Sequence, residues 1–467
     1  MTAPGALGLA RVTIAAPKRR MDVALPDNLI VAELLPHLLR HAGDEIEDTD
    51  RHGGWVLRRA TGALLQPTRS LAAQGVRDGE LLHLAPRRQE WPELAYDDVV
   101  EVIAAGARRA GRSWGQDATR RCGLAVAAVI LALGLPLIVL SGPPWPLPAW
   151  VSLGIAALLA VTGIVLSRTM SDAAAGATVA ACGLPYAFAG GALLAAPAGA
   201  AVDRLGAPSL LLGSAALLLA GIVGYTGVAG TQRLFTAGAA TGATGALAAL
   251  LCLAGASAAG SAAITLTTVI GLLPGYPLIA GWVGRLPVPE LPDRPEEILR
   301  DRQAPRRTDV FAAVARATEL LSGLLLSAAV TAALAMAVLL LDDGTVAGVL
   351  LCLAAATALL LRARLFALPR QRIPLLVSGL IGLALLAYGY AAGDDDGRKL
   401  LVLLVMVVAA GAVLAAGLAY SRRSPSPYLG RTADIVDVLA IMALIPLACA
   451  VTGLFRAIQG LFSSIGG

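Results

Sequence analysis

Apolar positions follow two different rhythms along this chain. In residues 1–88 they come in short runs. Residues 9–16 set Val12 and Ile14 against Arg11 and Thr13 in strand alternation, and Met21, Val23 and Leu25 repeat it after a turn at Pro17–Lys18. Residues 30–40 then change to helical spacing, with rows Ile30/Leu34/Leu38 and Val31/Leu35/Leu39 and a stop near Gly43. Pro36 falls inside that helix and removes one backbone bond. Short strands at 55–59 and 63–65 flank a Thr61–Gly62 turn, and a helical turn at 70–76, an Asp78–Gly79 turn and a strand at 80–85 complete the segment.

From residue 122 onward the rhythm is long and unbroken. A bilayer core of about 30 Å needs about 20 apolar residues per helix. Eleven stretches meet that length: 122–141, 149–167, 173–196, 209–229, 234–254, 258–282, 318–341, 345–361, 373–392, 400–420 and 435–455. A small-residue break at 255–260 separates the fifth from the sixth, and Pro274, Gly275 and Pro277 break or kink the end of the sixth. The expected organisation is a cytoplasmic domain over 1–88, a charged linker helix over 89–121, a transmembrane domain of 11 helices over 122–456 with a cytoplasmic loop at 283–317, and an extracytoplasmic tail at 457–467.

Composition agrees with a soluble head on a membrane body. Only 15% of the 467 residues are charged and 57% are hydrophobic, against about 25% charged in soluble domains, and the mean hydropathy is +0.72. Residues 1–121 nevertheless hold 17 of the 37 Lys+Arg and 16 of the 32 Asp+Glu. Placing the head inside puts 16 of the remaining Arg and Lys on the cytoplasmic side, against Arg204, Arg398, Lys399 and Arg456 outside. That asymmetry fixes the expected orientation as N-terminus in and C-terminus out. No cleavable signal peptide is expected, because residues 1–10 lack a basic n-region and Arg11 interrupts the apolar stretch.

Candidate chemistry is sparse. A formal net charge of +5, thinly spread, gives no nucleic-acid footprint. Lys18 and Lys399 are the two lysines, and neither stands in a Gly-Lys-Ser/Thr phosphate-binding loop. Cys122, Cys182, Cys252, Cys352 and Cys449 stand singly and read as small buried hydrophobes. His37, His41, His52 and His83 all lie in the head, so neither metal nor cofactor is expected in the body. Span interiors are almost free of charge, with Glu319, Asp434 and Asp437 near cytoplasmic ends. Gly238 and Gly242 stand in GxxxG register, which suits internal helix packing or a seam between two copies. The linker turns basic at Arg108, Arg109 and Arg112, and the long loop carries Arg294, Arg300, Arg302, Arg306 and Arg307. These arginines are candidate docking positions for a protein partner; the alternative for the linker is a solvated helix whose arginines meet anionic headgroups, and for the loop a solvated connector.

The strand and helix order of the head is that of a β-grasp, and the run LLQPTRSLAAQGVRDGELLHLAP resembles the second half of ubiquitin-like domains. A conjugating ubiquitin ends in Gly-Gly after its last strand; here Pro86–Arg87–Arg88 leads into the linker, so the head reads as a docking module. With a charged linker and eleven Ala/Leu/Gly-rich spans, the whole chain resembles the EccD family, the polytopic membrane component of actinobacterial type VII (ESX) secretion systems. The resemblance implies an α-helical polytopic protein of the cytoplasmic membrane that scaffolds the secretion machine and has no catalytic residues. It also implies partners: an EccC-type ATPase, EccB-type and EccE-type subunits, and a second copy within a larger hexameric assembly. Within that resemblance, the short chain and compact head point towards the system linked to iron and zinc acquisition, without identifying which paralogous system it is.

Two other classes compete with the scaffold. A secondary transporter with a regulatory domain is opposed by the charge-free midplane, the odd span count and the lack of an evident internal repeat. A membrane sensor needs an enzymatic or DNA-binding output domain, and the head is neither. Orientation is directly testable. Reporters fused after Arg307 and after Arg423 are expected to read cytoplasmic and one after Asp395 external. A cytoplasmic signal from the last fusion removes the eleven-span arrangement.

Overall fold

The computed structural model describes residues 8–16, 20–42, 55–59, 61–86, 114–199, 201, 204–287, 306–342, 344–392, 395–421, 426–455 and 459. The chain divides into two compact units, Met1–Ser113 and Trp114–Gly467.

In the first unit, strands β1 (Leu9–Ala15), β2 (Arg20–Pro26), β3 (Trp55–Arg59) and β4 (Leu81–Pro86) form one sheet in the order β2-β1-β4-β3. The β1–β2 and β3–β4 pairs are antiparallel, while β1 and β4 run parallel at the centre. Alternation along β1 buries Val12 and Ile14, and helix α1 (Val31–Ala42) adds Val31, Leu34 and Leu38 to the same core as Leu57, Leu82 and Leu84. Gly79, at φ +80°, turns the chain back so that its N–H donates to Arg11 O, while Asp78 accepts from Arg11 N–H at 2.7 Å. Two expectations shift. Ile30 precedes the helix and bridges to Ser70, and 63–65 contributes one bridge, Arg58 to Leu64, instead of a strand. The expected turn at Pro17–Lys18 and the stop at Gly43 lie outside the described residues.

The second unit is helical. Helices α2 (Gln116–Leu140), α3 (Pro146–Arg168), α4 (Ala173–Leu194), α5 (Ala207–Gly227) and α6 (Arg233–Leu253) form one layer of neighbours. Helices α7 (Ala258–Gly271), α8 (Tyr276–Val283), α9 (Arg307–Asp342), α10 (Val346–Arg362), α11 (Pro369–Ala391), α12 (Asp396–Tyr420) and α13 (Pro427–Val451) form the second, joined to the first where α6 packs on α9. Among the described residues ten helices are long and apolar enough to span a membrane, and α7 with α8, which meet at 40°, adds an eleventh where the pair is counted as one broken span. The protein is therefore multi-pass.

Two helix boundaries depart from the expected ones. α2 begins at Gln116, six residues before Cys122, with Asp117 in the first turn where the helix dipole favours a carboxylate. α9 begins at Arg307 and runs for 36 residues, so it absorbs the last part of the expected 283–317 loop. At 1.5 Å per residue it is about 54 Å long, against a hydrocarbon core of about 30 Å. Its early turns are kept helical by packing: Ala313 and Ala317 are buried, and a Cβ on Gly284 would sit 2.9 Å from that of Ala317.

Small residues set the helix spacing. A Cβ on Gly163 of α3 would lie 2.6 Å from both Ala180 Cβ and Gly176 O of α4, so the two backbones touch where a side chain is absent. Hydroxyls then bridge helices: Ser152 Oγ donates to Tyr186 O at 2.8 Å, Thr241 Oγ1 to Ser327 Oγ at 3.0 Å, and Ser378 Oγ to Ala329 O at 2.8 Å. At the start of α4, Asp172 accepts from Ala175 N–H and pairs with Arg120. The Ala175 N–H foremost, with Arg120 beside it, holds the Asp172 carboxyl below its ordinary value of 3.8, although desolvation acts in the opposite direction. This cap is therefore complete at neutral pH and fades only as pH falls through that lowered value.

Gly242 of α6 offers the sharpest test of this packing. A Cβ there would meet Leu218 N at 2.5 Å and Ser214 O at 2.6 Å, both backbone atoms of α5 that cannot move aside alone. Gly242→Leu is expected to destabilise the detergent-purified chain by about 1–3 kcal/mol or more, the usual cost of overpacking. Thermal unfolding followed by tryptophan fluorescence reads it; an unchanged midpoint contradicts the close approach.

Candidate functional site

The densest polar chemistry of the membrane unit gathers where the bent span breaks. Helix α7 ends at Gly271, a 3₁₀ turn covers Leu273–Gly275, and α8 resumes at Tyr276. Pro274 has no N–H for the carbonyl of Ile270, and Pro277 has none for that of Leu273. A buried carbonyl that loses its helical donor needs another partner within the protein. Arg362, the last residue of α10, does so: its Nη1 donates to Ile270 O at 3.2 Å. Its Nε stands 3.6 Å from Asp437 Oδ1 on α13. That separation is an ion pair without a direct hydrogen bond, and both atoms are buried without a hydrogen-bond partner.

Neighbouring pairs extend the network. Arg364 reaches Asp434 of α13 and donates to Gly430 O at 3.4 Å, and Arg370 of α11 pairs with Glu319 of α9 at 2.6 Å. Gln371, 5% exposed, turns its Nε2 to Ser322 Oγ at 3.5 Å. A cavity of about 320 Å³ opens between these groups, walled by Arg362, Gln371, Pro274, Pro277 and Phe366. Helices α7, α9, α10, α11 and α13 are thus tied at one end by arginine. Glu319, Asp434 and Asp437 are the three carboxylates expected at water-accessible span ends. Asp434 is so placed, at 70% side-chain exposure, whereas Asp437 is largely covered at 17% with Arg362 at 11%.

The docking candidates divide. Arg306 and Arg307 are exposed at the start of α9. Arg108, Arg109, Arg112, Arg294, Arg300 and Arg302 lie outside the described residues. Gly238 and Gly242 are both buried inside one chain, Gly238 under Leu184 of α4 and Gly242 against α5. Arg362 itself was missed as a site residue, since its partners come from helices far away in sequence. The available signal was Pro274 opposite a charged helix end. Among the described residues no group of three or more His, Cys, Asp or Glu can hold a metal ion, and the five cysteines are free.

Two variants separate structural from peripheral pairs. Removing one member of a buried pair costs roughly 3–5 kcal/mol, whereas an exposed pair contributes under about 1 kcal/mol. Arg362→Ala is expected to lower the unfolding midpoint strongly and to speed amide exchange around Ile270, while Asp434→Asn changes little. Equal, small effects would remove the clamp.

Known proteins bear on this arrangement in three ways. The family described as the EccD-like transmembrane domain matches residues 119–461, and the one described as protein YukD of the WXG100 protein secretion system matches residues 9–84. A protein named ESX-4 secretion system protein eccD4, from Mycobacterium tuberculosis strains CDC 1551 / Oshkosh and ATCC 25618 / H37Rv, is 27% identical over 470 residues, covering 97% of this chain and 98% of the relative. A chain from the structure of protomer 1 of the ESX-3 core complex superposes with TM-score 0.59 at 23% identity, covering 96% of this chain and 100% of that one. A chain from the MycP5-free ESX-5 inner membrane complex, State II, gives TM-score 0.56 at 21% identity, covering 87% and 99%. These structural likenesses carry the fold, and the names span three ESX systems, so none assigns this chain to the iron- and zinc-linked one. The family match covers most of the chain, including every helix of the arginine network, and the chain belongs to the EccD family of type VII secretion membrane subunits.

Proposed function

We propose that this chain is a non-enzymatic scaffold of a type VII secretion complex in the cytoplasmic membrane, with its head in the cytoplasm as the dock for an EccC-type ATPase. The observation that carries the scaffold reading is how the membrane unit uses its buried polar groups. Arginines tie helix ends, and serine and threonine hydroxyls bridge helices, as a rigid support requires. The head adds a small folded sheet domain with its own apolar core, and the exposed Arg306 and Arg307 add positive charge on the same expected side of the membrane. The similar solved chains belong to a core complex and an inner membrane complex, which supports assembly with further subunits; the proposed partners are EccB-type and EccE-type subunits and a second copy of this chain.

Deletion of residues 1–88 tests the docking role. The spans carry enough apolar length to insert without the head, so the truncated chain is expected in the membrane but without the ATPase, and secretion stops. Stoichiometric co-purification of the ATPase with the headless chain, or normal secretion, refutes the dock. Arg306→Glu with Arg307→Glu is expected to act in the same direction more weakly, because exposed charge pairs contribute under about 1 kcal/mol each. The purified chain alone is expected to hydrolyse no ATP above background, with secretion energy supplied by the partner.

A further inference from the structure

A second cavity, of about 570 Å³, lies between α5, α6, α7 and α9, away from the arginine network. Its walls are mostly apolar, with Phe188, Leu210, Leu217, Leu334 and Val338 among them. Most hydroxyls along it are already spent on the protein: Thr244 bonds Thr331 at 3.0 Å and Ser261 donates to Ala248 O at 2.7 Å. Ser214 makes no side-chain hydrogen bond among the described residues, and Ser209 is the hydroxyl whose oxygen is itself enclosed. It lines the cavity, is 1% exposed, and its Oγ has no hydrogen-bond partner. A buried hydroxyl left unpaired costs roughly 1–3 kcal/mol unless something outside the chain satisfies it.

Ser209 sits in the first turn of α5, whose N-terminus opens into the same cavity through Gly206 and Ala207. Among the described residues no side chain caps this helix, and its first backbone bond runs from Leu210 N–H to Gly206 O at 3.2 Å. The N–H groups of Ala207 and Ser209 therefore lack intrahelical acceptors, and Pro208 has none to offer. Two free N–H donors, a free hydroxyl and the positive end of a 21-residue helix make an anion cradle. Arg204 is exposed just before it; Asp203 beside it lies outside the described residues. The cradle continues directly into an apolar cavity inside a membrane protein.

We infer that this cavity is a binding site for one glycerophospholipid, whose phosphodiester rests on the N-terminus of α5 and Ser209 while an acyl chain fills the apolar groove. The phosphodiester is common to all glycerophospholipids, so the site selects an amphiphile without requiring a net-charged headgroup. A free phosphate ion would leave the groove empty, and an apolar molecule would leave Ser209 unpaired. The leaflet, the outer one, follows from the proposed orientation; the site itself does not depend on it or on the secretion role.

The full chain, purified in mild detergent and washed extensively, is expected to retain one phospholipid per chain by native mass spectrometry and by extracted phosphorus. Ser209→Ala removes one hydrogen bond to a charged group, so affinity for added phosphatidylglycerol is expected to fall about tenfold. Its unfolding midpoint in lipid-free detergent should stay level or rise, because an unpaired buried hydroxyl has gone. Cys252→Trp, which fills the groove and leaves Ser209 in place, is expected to abolish retention. The assignment is overturned if the wild type retains no phospholipid, if Ser209→Ala binds as tightly as the wild type, or if inorganic phosphate alone gives the same Ser209-dependent stabilisation.

Discussion

Water cannot reach the hydrocarbon core to rescue a broken helix, so each backbone group freed there needs a partner supplied by the protein. In this chain one such group is the carbonyl of Ile270, where Pro274 ends the regular bonding of α7, and a side chain arriving from α10 donates to it. An arginine can reach one carbonyl and face one carboxylate at once because its guanidinium carries five donors in a fixed fork. Once Arg362 holds Ile270, its charge requires an anion in the same poorly solvated place, and Asp437 of α13 stands beside it. The largest apolar cluster is built from the same helices, so packing and polar pairing reinforce one arrangement.

Elsewhere lipid offers no hydrophobic drive for helix association, and close contact has to come from shape. The α3–α4 and α5–α6 pairs meet at glycines and alanines, where a Cβ would overlap a neighbouring backbone. Helices α2 and α12 are different: no residue of either is buried, and their sides are Leu- and Val-rich. They border the bundle with little small-residue complementarity to it. The tight glycine joints thus make an inner frame, and the outer helices add apolar girth.

Much of this was legible in the sequence. The spans announced themselves by length, and β1 and α1 of the head by period, since Val12, Ile14, Leu34 and Leu38 face one core as alternation and helical spacing require. Gly238 and Gly242 were legible as packing residues, but their partners, Leu184 and the backbone of α5, were not, because register between helices depends on the whole surface of both. Helix ends were the weaker reading. Hydropathy marks where lipid begins, whereas α9 continues past it because Ala313 and Ala317 pack on protein. The arginine clamp was illegible for the same reason: Arg362 and Asp437 are 75 positions apart and meet only after α10 and α13 have packed.

The arginines that set the expected orientation are not equivalent once the fold is formed. Arg362, Arg364 and Arg370 are each paired with a carboxylate, and Arg168 donates to the carbonyls of Thr226 and Gly227. Insertion counts all of them as positive charge beside a span, but a partner arriving later meets mainly those left unpaired. Arg306 and Arg307, exposed at the start of a helix about 54 Å long, have no ion pair among the described residues. Their position on a continuous helix gives them a rigid base in the core, where Leu325 and Met336 of the same helix are fully buried.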